Sequence, residues 1–344
     1  MKDPYKDIRA YNVAWFDAVT DYLIVFPTFQ IWAKKTTDGL KMDFLGDRKQ
    51  VEADFKHGAF FMSNHRDIVM DAAWMAYLLR AHYAIRPYIG VGDNLFAKKW
   101  IEVLMKYLRC FAVKRGGGAH AALENAKHLS AYIRMLREKG KSIWLAQREG
   151  RAKDSNDLTQ TSVLHMLTLD DGQWTMDNGF FEKVKALNIC PVSITYEYDP
   201  CDFLKAAEMQ LKRDNPNWHK TKRDDVISMQ TGIRGYKGHV VYRFTKSINP
   251  EIDAMLAAHP EYREESNHDQ LQHICDIIDR HIHAGYEIFE RGTEFDAYIE
   301  SRLAKIDIPN KDEVFLREKL YEMYNNPVIN HRNSLKLKVE SLEK

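Results

Sequence analysis

Phe60–Leu79 reads FFMSNHRDIVMDAAWMAYLL. Phe60, Phe61 and Met62 form a short apolar run of the kind a buried strand shows. Ala72, Trp74, Met75, Leu78 and Leu79 then recur at helical spacing. His65, Asp67 and Asp71 therefore fall at a strand-to-helix junction. In layered α/β proteins that junction opens into a cleft.

The same alternation extends outward from this stretch. Strands are predicted at Ala59–Met62, Tyr88–Val91, Phe111–Val113, Ser142–Ala146, Ile189–Tyr196 and His239–Ile248, with helices at 71–83, 94–109, 117–139 and 179–187. Short apolar strands alternating with amphipathic helices predict an α/β fold, a mixed and mostly parallel sheet flanked by helices. After Asn249-Pro250, residues 251–325 read as almost wholly helical, and the last twenty residues as polar and loose. Residues 8–35 read as an amphipathic helical segment broken at Pro27 and rich in aromatics, among them Tyr11, Trp15, Phe16, Phe26 and Trp32. Aromatic rings of this kind suit a bilayer interface and equally an ordinary core helix pair. The division expected is 1–50 as an N-terminal helical membrane-association segment, 51–250 as the α/β domain and 251–344 as a helical C-terminal region packed on it.

Composition narrows the class. The chain has 344 residues, 45% hydrophobic and 29% charged, which suits a globular protein with a large core. Its net charge of +1 supplies no global field for nucleic acid. The cysteines (110, 190, 201 and 275) are widely spaced with no CxxC pair, pointing to reduced thiols in a cytosolic compartment. MKDPYKDIRAYN has no basic start followed by an apolar run, so no signal peptide is expected. No apolar run reaches the roughly 18 residues a membrane span needs.

Four segments carry chemistry. In NHRDIVMD (Asn64–Asp71), an imidazole can take a proton from a hydroxyl if a carboxylate holds its tautomer. A continuous helix would set Asp67 and Asp71 roughly 200° and 240° around the axis from His65, so the chain must turn between them. An acid at the start of the next helix can point back to the strand end, which favours Asp71 at the helix N-cap. Asp67, inside the turn, suits local backbone amides or substrate. In GDNLF…CFAVKRGGG, Arg115 stands at a strand end before a glycine triplet that opens a helix, a site suited to an anion. It contains neither GxGxxG nor Gly-Lys-Ser/Thr. In AQREGRAKD, the apolar strand ends in Arg148, Glu149, Gly150 and Arg151, and arginine forks suit phosphate. In CPVSI, Pro191 leads a strand.

In this order and spacing the four segments resemble the motif blocks of the glycerophospholipid acyltransferase superfamily, which includes glycerol-3-phosphate and lysophosphatidic acid acyltransferases. The resemblance covers roughly residues 55–250. Three departures stand out. The usual His, four residues, Asp spacing would fall on Met70, and Asp71 comes one residue later. The usual Phe-Pro-Glu-Gly-Thr-Arg is Ala-Gln-Arg-Glu-Gly-Arg here, and Arg109-Cys110 stand where block two often has glycine before its aromatic pair. These point to a divergent bacterial branch.

The resemblance implies that His65 is a general base oriented by Asp71 or Asp67. The donor would be acyl-CoA or acyl carrier protein, and the acceptor a phosphate-bearing glycerol or lysolipid. It further implies that Asn64, Arg66, Asn94, Arg115, Arg148, Glu149, Gly150 and Arg151 bind substrate and that Pro191 lines an acyl channel. No metal or organic cofactor is expected, nor a nucleic-acid partner. The protein is expected to be cytoplasmic and peripheral on the inner face of the cell membrane. Two rivals stay open: a metal-dependent hydrolase using His65, Asp67 and the His281/His283 pair, and a non-catalytic scaffold binding lipid headgroups.

Overall fold

The computed structural model describes residues 26–96, 99–114, 118–169 and 179–342. Most of the aromatic segment 8–35 lies outside them, as does Arg115. In chain order the elements are α1 (Phe26–Thr36), β1 (Gly39–Leu45), α2 (Arg48–Lys56), β2 (Phe60–Ser63), α3 (Met70–Tyr83), β3 (Tyr88–Gly92), α4 (Lys99–Tyr107), β4 (Cys110–Val113), α5 (Ala119–Glu138) and β5 (Ile143–Ala146). There follow α6 (Thr161–Thr168), α7 (Phe180–Leu187), β6 (Ile189–Tyr196), α8 (Asp202–Asp214), α9 (Lys222–Arg234), β7 (His239–Thr245), α10 (Asn249–Ala258), α11 (Asn267–Ala284), α12 (Glu294–Leu303) and α13 (Glu313–Leu342).

The strands form one sheet in the order β1-β7-β6-β2-β5-β3-β4. Every pairing is parallel except β6 with β7. The expected mixed, mostly parallel α/β sheet is therefore present. Its central strands are apolar on both faces because helices cover both. Phe60, Met62, Ile143, Leu145 and Ile189 pack under α5, α6, α7 and α11. Phe61, Trp144, Cys190, Val192 and Ile194 pack on the other side with Trp74, Met75 and Leu79 of α3. Alternate residues of each strand thus serve opposite cores, as the two-residue period of a strand dictates. Each large side chain so buried contributes about 1.5–3 kcal/mol. A third core joins α8, α12 and α13 through Phe295, Ile299, Leu316 and Leu320.

Three expectations are corrected. The sheet begins at β1, inside the stretch assigned to an N-terminal helical segment, and Gly39–Leu45 pairs along its length with His239–Thr245. Residues 197–238, for which the pattern names no element, hold α8 and α9. The last turns are not loose, since α13 runs on to Leu342 and carries Pro327 within it. All four cysteines are buried and unpaired. Among the described residues no helix is long and apolar enough to cross a membrane.

Candidate active site

β2, β5 and β6 are mutually parallel, so the loops at their carboxyl ends meet at one edge of the sheet, where α/β folds bind ligands. The loop after β2 carries His65. Its Nδ1 lies 2.8 Å from Asp71 Oδ2. The carboxylate can only accept, so this bond assigns the ring hydrogen to Nδ1 and leaves the Nε2 lone pair to act as base. Trp144 presents an edge-to-face contact to the imidazole at 6.3 Å. Asp71 is fully buried, and the amides of Arg66 and Asp67 donate to the same Oδ2 at 2.6 and 2.9 Å. The Tyr196 hydroxyl donates to the other oxygen, Oδ1, at 2.8 Å.

The two acids have separate tasks. Asp67 Oδ1 accepts from the amides of Val69 and Met70, the free donors at the start of α3. Capping therefore falls to Asp67, and Asp71, expected at the N-cap, sits one residue inside the helix. Burial, with the Asp71 charge beside it, pushes the Asp67 carboxyl above its ordinary value. A side chain at Gly232 of α9 would meet Asp67 Oδ2 at 1.7 Å, so only glycine permits this approach.

His65 lines a cleft of about 1210 Å³. Arg148, Glu149, Gly150 and Arg151, which follow β5, line it too, as does Lys153. Gly150 takes φ +70, a left-handed conformation that reverses the chain there. Arg151 is almost wholly buried against the Cys201 thiol, and its Nη1 has no hydrogen-bond partner. Arg148 Nε is likewise unpartnered. Lys153 pairs with Glu208 at 3.1 Å, and burial together with the Arg151 charge pushes its amine down to about 8. Apolar side chains line the cleft as well, among them Val91, Phe111, Leu129, Tyr132, Leu145 and Met166. The cleft thus holds both groups that suit an anion and groups that suit a hydrocarbon chain.

Other expected site residues are placed elsewhere. Asn64 faces inward and stitches its loop to β6, donating to the Ile194 carbonyl and accepting from the Ile194 amide. Arg66 is buried against Asp157 at 2.7 Å and over the Tyr286 ring. Pro191 is buried opposite Met62 and does not line the cleft. Asn94 belongs to a 3-10 turn, Asp93–Phe96, whose Phe96 lines the cleft. His281 pairs with Glu251 and His283 with the Asp157 carbonyl, so neither joins His65. The one group among the described residues that could hold a metal ion is Asp38, Glu197 and His239, which does not include His65. Tyr196 escapes the sequence reading because it lies beyond CPVSI, and Lys153, inside AQREGRAKD, is passed over there in favour of the arginines, whose forks suit phosphate.

A carboxylate-held imidazole thus shares one cleft with arginines that keep unfilled donors and with apolar side chains. No curated protein matches the chain. The family model described as Acyltransferase matches residues 44–195, from the last two residues of β1 to the penultimate residue of β6, and so includes the loops that carry His65 and Arg148–Arg151. That stretch is an acyltransferase domain of the glycerophospholipid acyltransferase family, and the protein is an acyltransferase.

Proposed function

We propose that the enzyme moves a fatty acyl group from acyl-CoA or acyl carrier protein to a hydroxyl of a phosphate-bearing glycerol or lysolipid, with His65 as general base. The observation that carries this reading is that His65, held by Asp71, opens on the same cleft as Arg151, whose Nη1 has no hydrogen-bond partner. His65 Nε2 takes the acceptor's hydroxyl proton as its oxygen attacks the thioester carbonyl. The C–S bond then breaks, and the imidazolium returns the proton to the leaving thiolate as the ester forms. Asp71 stabilises the transient cation. The acceptor's phosphate lies against Arg151 and Arg148, and the acyl chain along the Val91–Phe111–Leu129 wall. The thioester is already activated, so this sequence of steps calls on no organic cofactor.

The test is thiol release from acyl-CoA and acyl carrier protein across acceptors with and without phosphate. Release should require a phosphate-bearing acceptor. Arg151→Ala should raise that acceptor's KM about 10- to 150-fold and leave the donor's KM nearly unchanged, the size of a charge-assisted hydrogen bond. Equal effects on both substrates would assign the arginine to the fold or to the donor. We further propose that the protein works as a peripheral enzyme on the inner face of the membrane, a reading supported by the aromatic sequence of residues 8–35. Pelleting with anionic vesicles and release by high salt is the expected behaviour; no pelleting would contradict it.

A further inference from the structure

We propose that Tyr196 is a positioning residue, whose hydroxyl fixes the Asp71 carboxylate in the orientation from which it holds His65; this rests on the reading of His65 as the base. Tyr196 is the last residue of β6 and lies one position beyond the stretch the acyltransferase family model matches. It shares a strand face with Val192 and Ile194, the face that packs on α3, where Asp71 lies. The Trp74 ring meets it edge-on at 6.0 Å.

A carboxylate turns readily about its terminal torsion, which has a broad, roughly two-fold preference. Holding one oxygen leaves that rotation open; holding both closes it. Oδ2 of Asp71 is taken by two backbone amides and His65, whereas Oδ1 is held by the Tyr196 hydroxyl at 2.8 Å. Burial, with the Asp71 charge beside it, pushes the Tyr196 phenol well above its ordinary value, so the hydroxyl remains a donor. Tyr242, the neighbouring tyrosine on β7, donates instead to the backbone carbonyl of Asp71 at 3.0 Å and so holds the helix rather than the carboxylate. Asp71 has no exposed surface, so water has no path to replace a lost donor.

The experiment uses the full chain with Tyr196→Phe, and Tyr324→Phe as a matched control. Tyr324 makes the same kind of buried bond, hydroxyl to Asp202 Oδ2 at 2.7 Å, in the C-terminal helical core. Tyr196→Phe should lower kcat on the order of tenfold, with KM for both substrates within about twofold. Tyr324→Phe should lower the melting temperature and leave kcat unchanged. Low-field proton NMR supplies a readout independent of turnover. The His65 Nδ1–H resonance, identified by its loss in His65→Ala, should move in Tyr196→Phe and stay in place in Tyr324→Phe. Wild-type kcat in Tyr196→Phe, or an unmoved resonance, overturns the proposal. Turnover by His65→Ala, with the resonance still moving in Tyr196→Phe, would overturn the base assignment while upholding the contact between Tyr196, Asp71 and His65.

Discussion

Asp67 binds the amides of Val69 and Met70 with one oxygen and packs the other against Gly232. It cannot retreat from an added methyl group without breaking the cap of α3. Gly232→Ala should therefore lower stability by about 1–3 kcal/mol, as overpacking of a closed site does. Thermal melting checks it, and an unchanged midpoint would mean that Asp67 moves aside freely. At this scale much was legible in the sequence. A histidine and an aspartate six residues apart cannot face each other on one helix, so the turn between them followed from helix geometry, and the place of Asp71 at the start of the next helix favoured it over Asp67. The division of labour was less legible, because which acid caps a helix depends on where that helix starts, to within one residue. Asn64 and Arg66 were substrate contacts only by what the resemblance implied. Their partners, Ile194 and Asp157, lie far along the chain and become visible only when the fold closes.

Among the elements, the central strands were the easiest to foresee, since helices on both faces leave short, continuous apolar runs such as Ile143–Ala146. β1 escaped because GLKMDFL lies at the sheet edge, half-buried along its length, where apolar continuity is not required. α11 shows how an element is tied to the site's surroundings. Its Asp279 accepts from the amide of Thr159 at 2.8 Å, and burial pushes its carboxyl up to about 7. Between the ordinary carboxylate range near pH 4 and pH 7 the folded protein thus keeps a proton that the unfolded chain has lost. Stability from this group is fully present below that window and falls as pH rises through it, by roughly 4 kcal/mol at most. Asp279→Asn cannot ionise and keeps an oxygen for Thr159. Its melting temperature should fall less than the wild type's between about pH 4 and pH 7. Parallel curves for the two proteins would show that Asp279 does not titrate in this window.

In the whole molecule, three cores surround one working edge. The two cores on the sheet faces fix β2, β5 and β6 in parallel, and that register alone brings His65, Arg148 and Arg151 to one cleft. The third core, of C-terminal helices, was legible as helical but not as a partner of α8, because its members Ala206 and Leu320 stand over a hundred residues apart in the chain. The site's central claim is that His65 is the base and Asp71 its partner. The most direct measurement is kcat for His65→Ala, Asp71→Asn and Asp67→Asn, each with a melting curve to confirm folding. The account predicts no turnover above background for the first and a loss approaching about 10³- to 10⁴-fold for the second, since the amide favours the wrong tautomer. Asp67→Asn, which keeps an oxygen to cap α3, should lose less than about tenfold. Sustained turnover by folded His65→Ala, or an inactive Asp67→Asn beside an active Asp71→Asn, would contradict it.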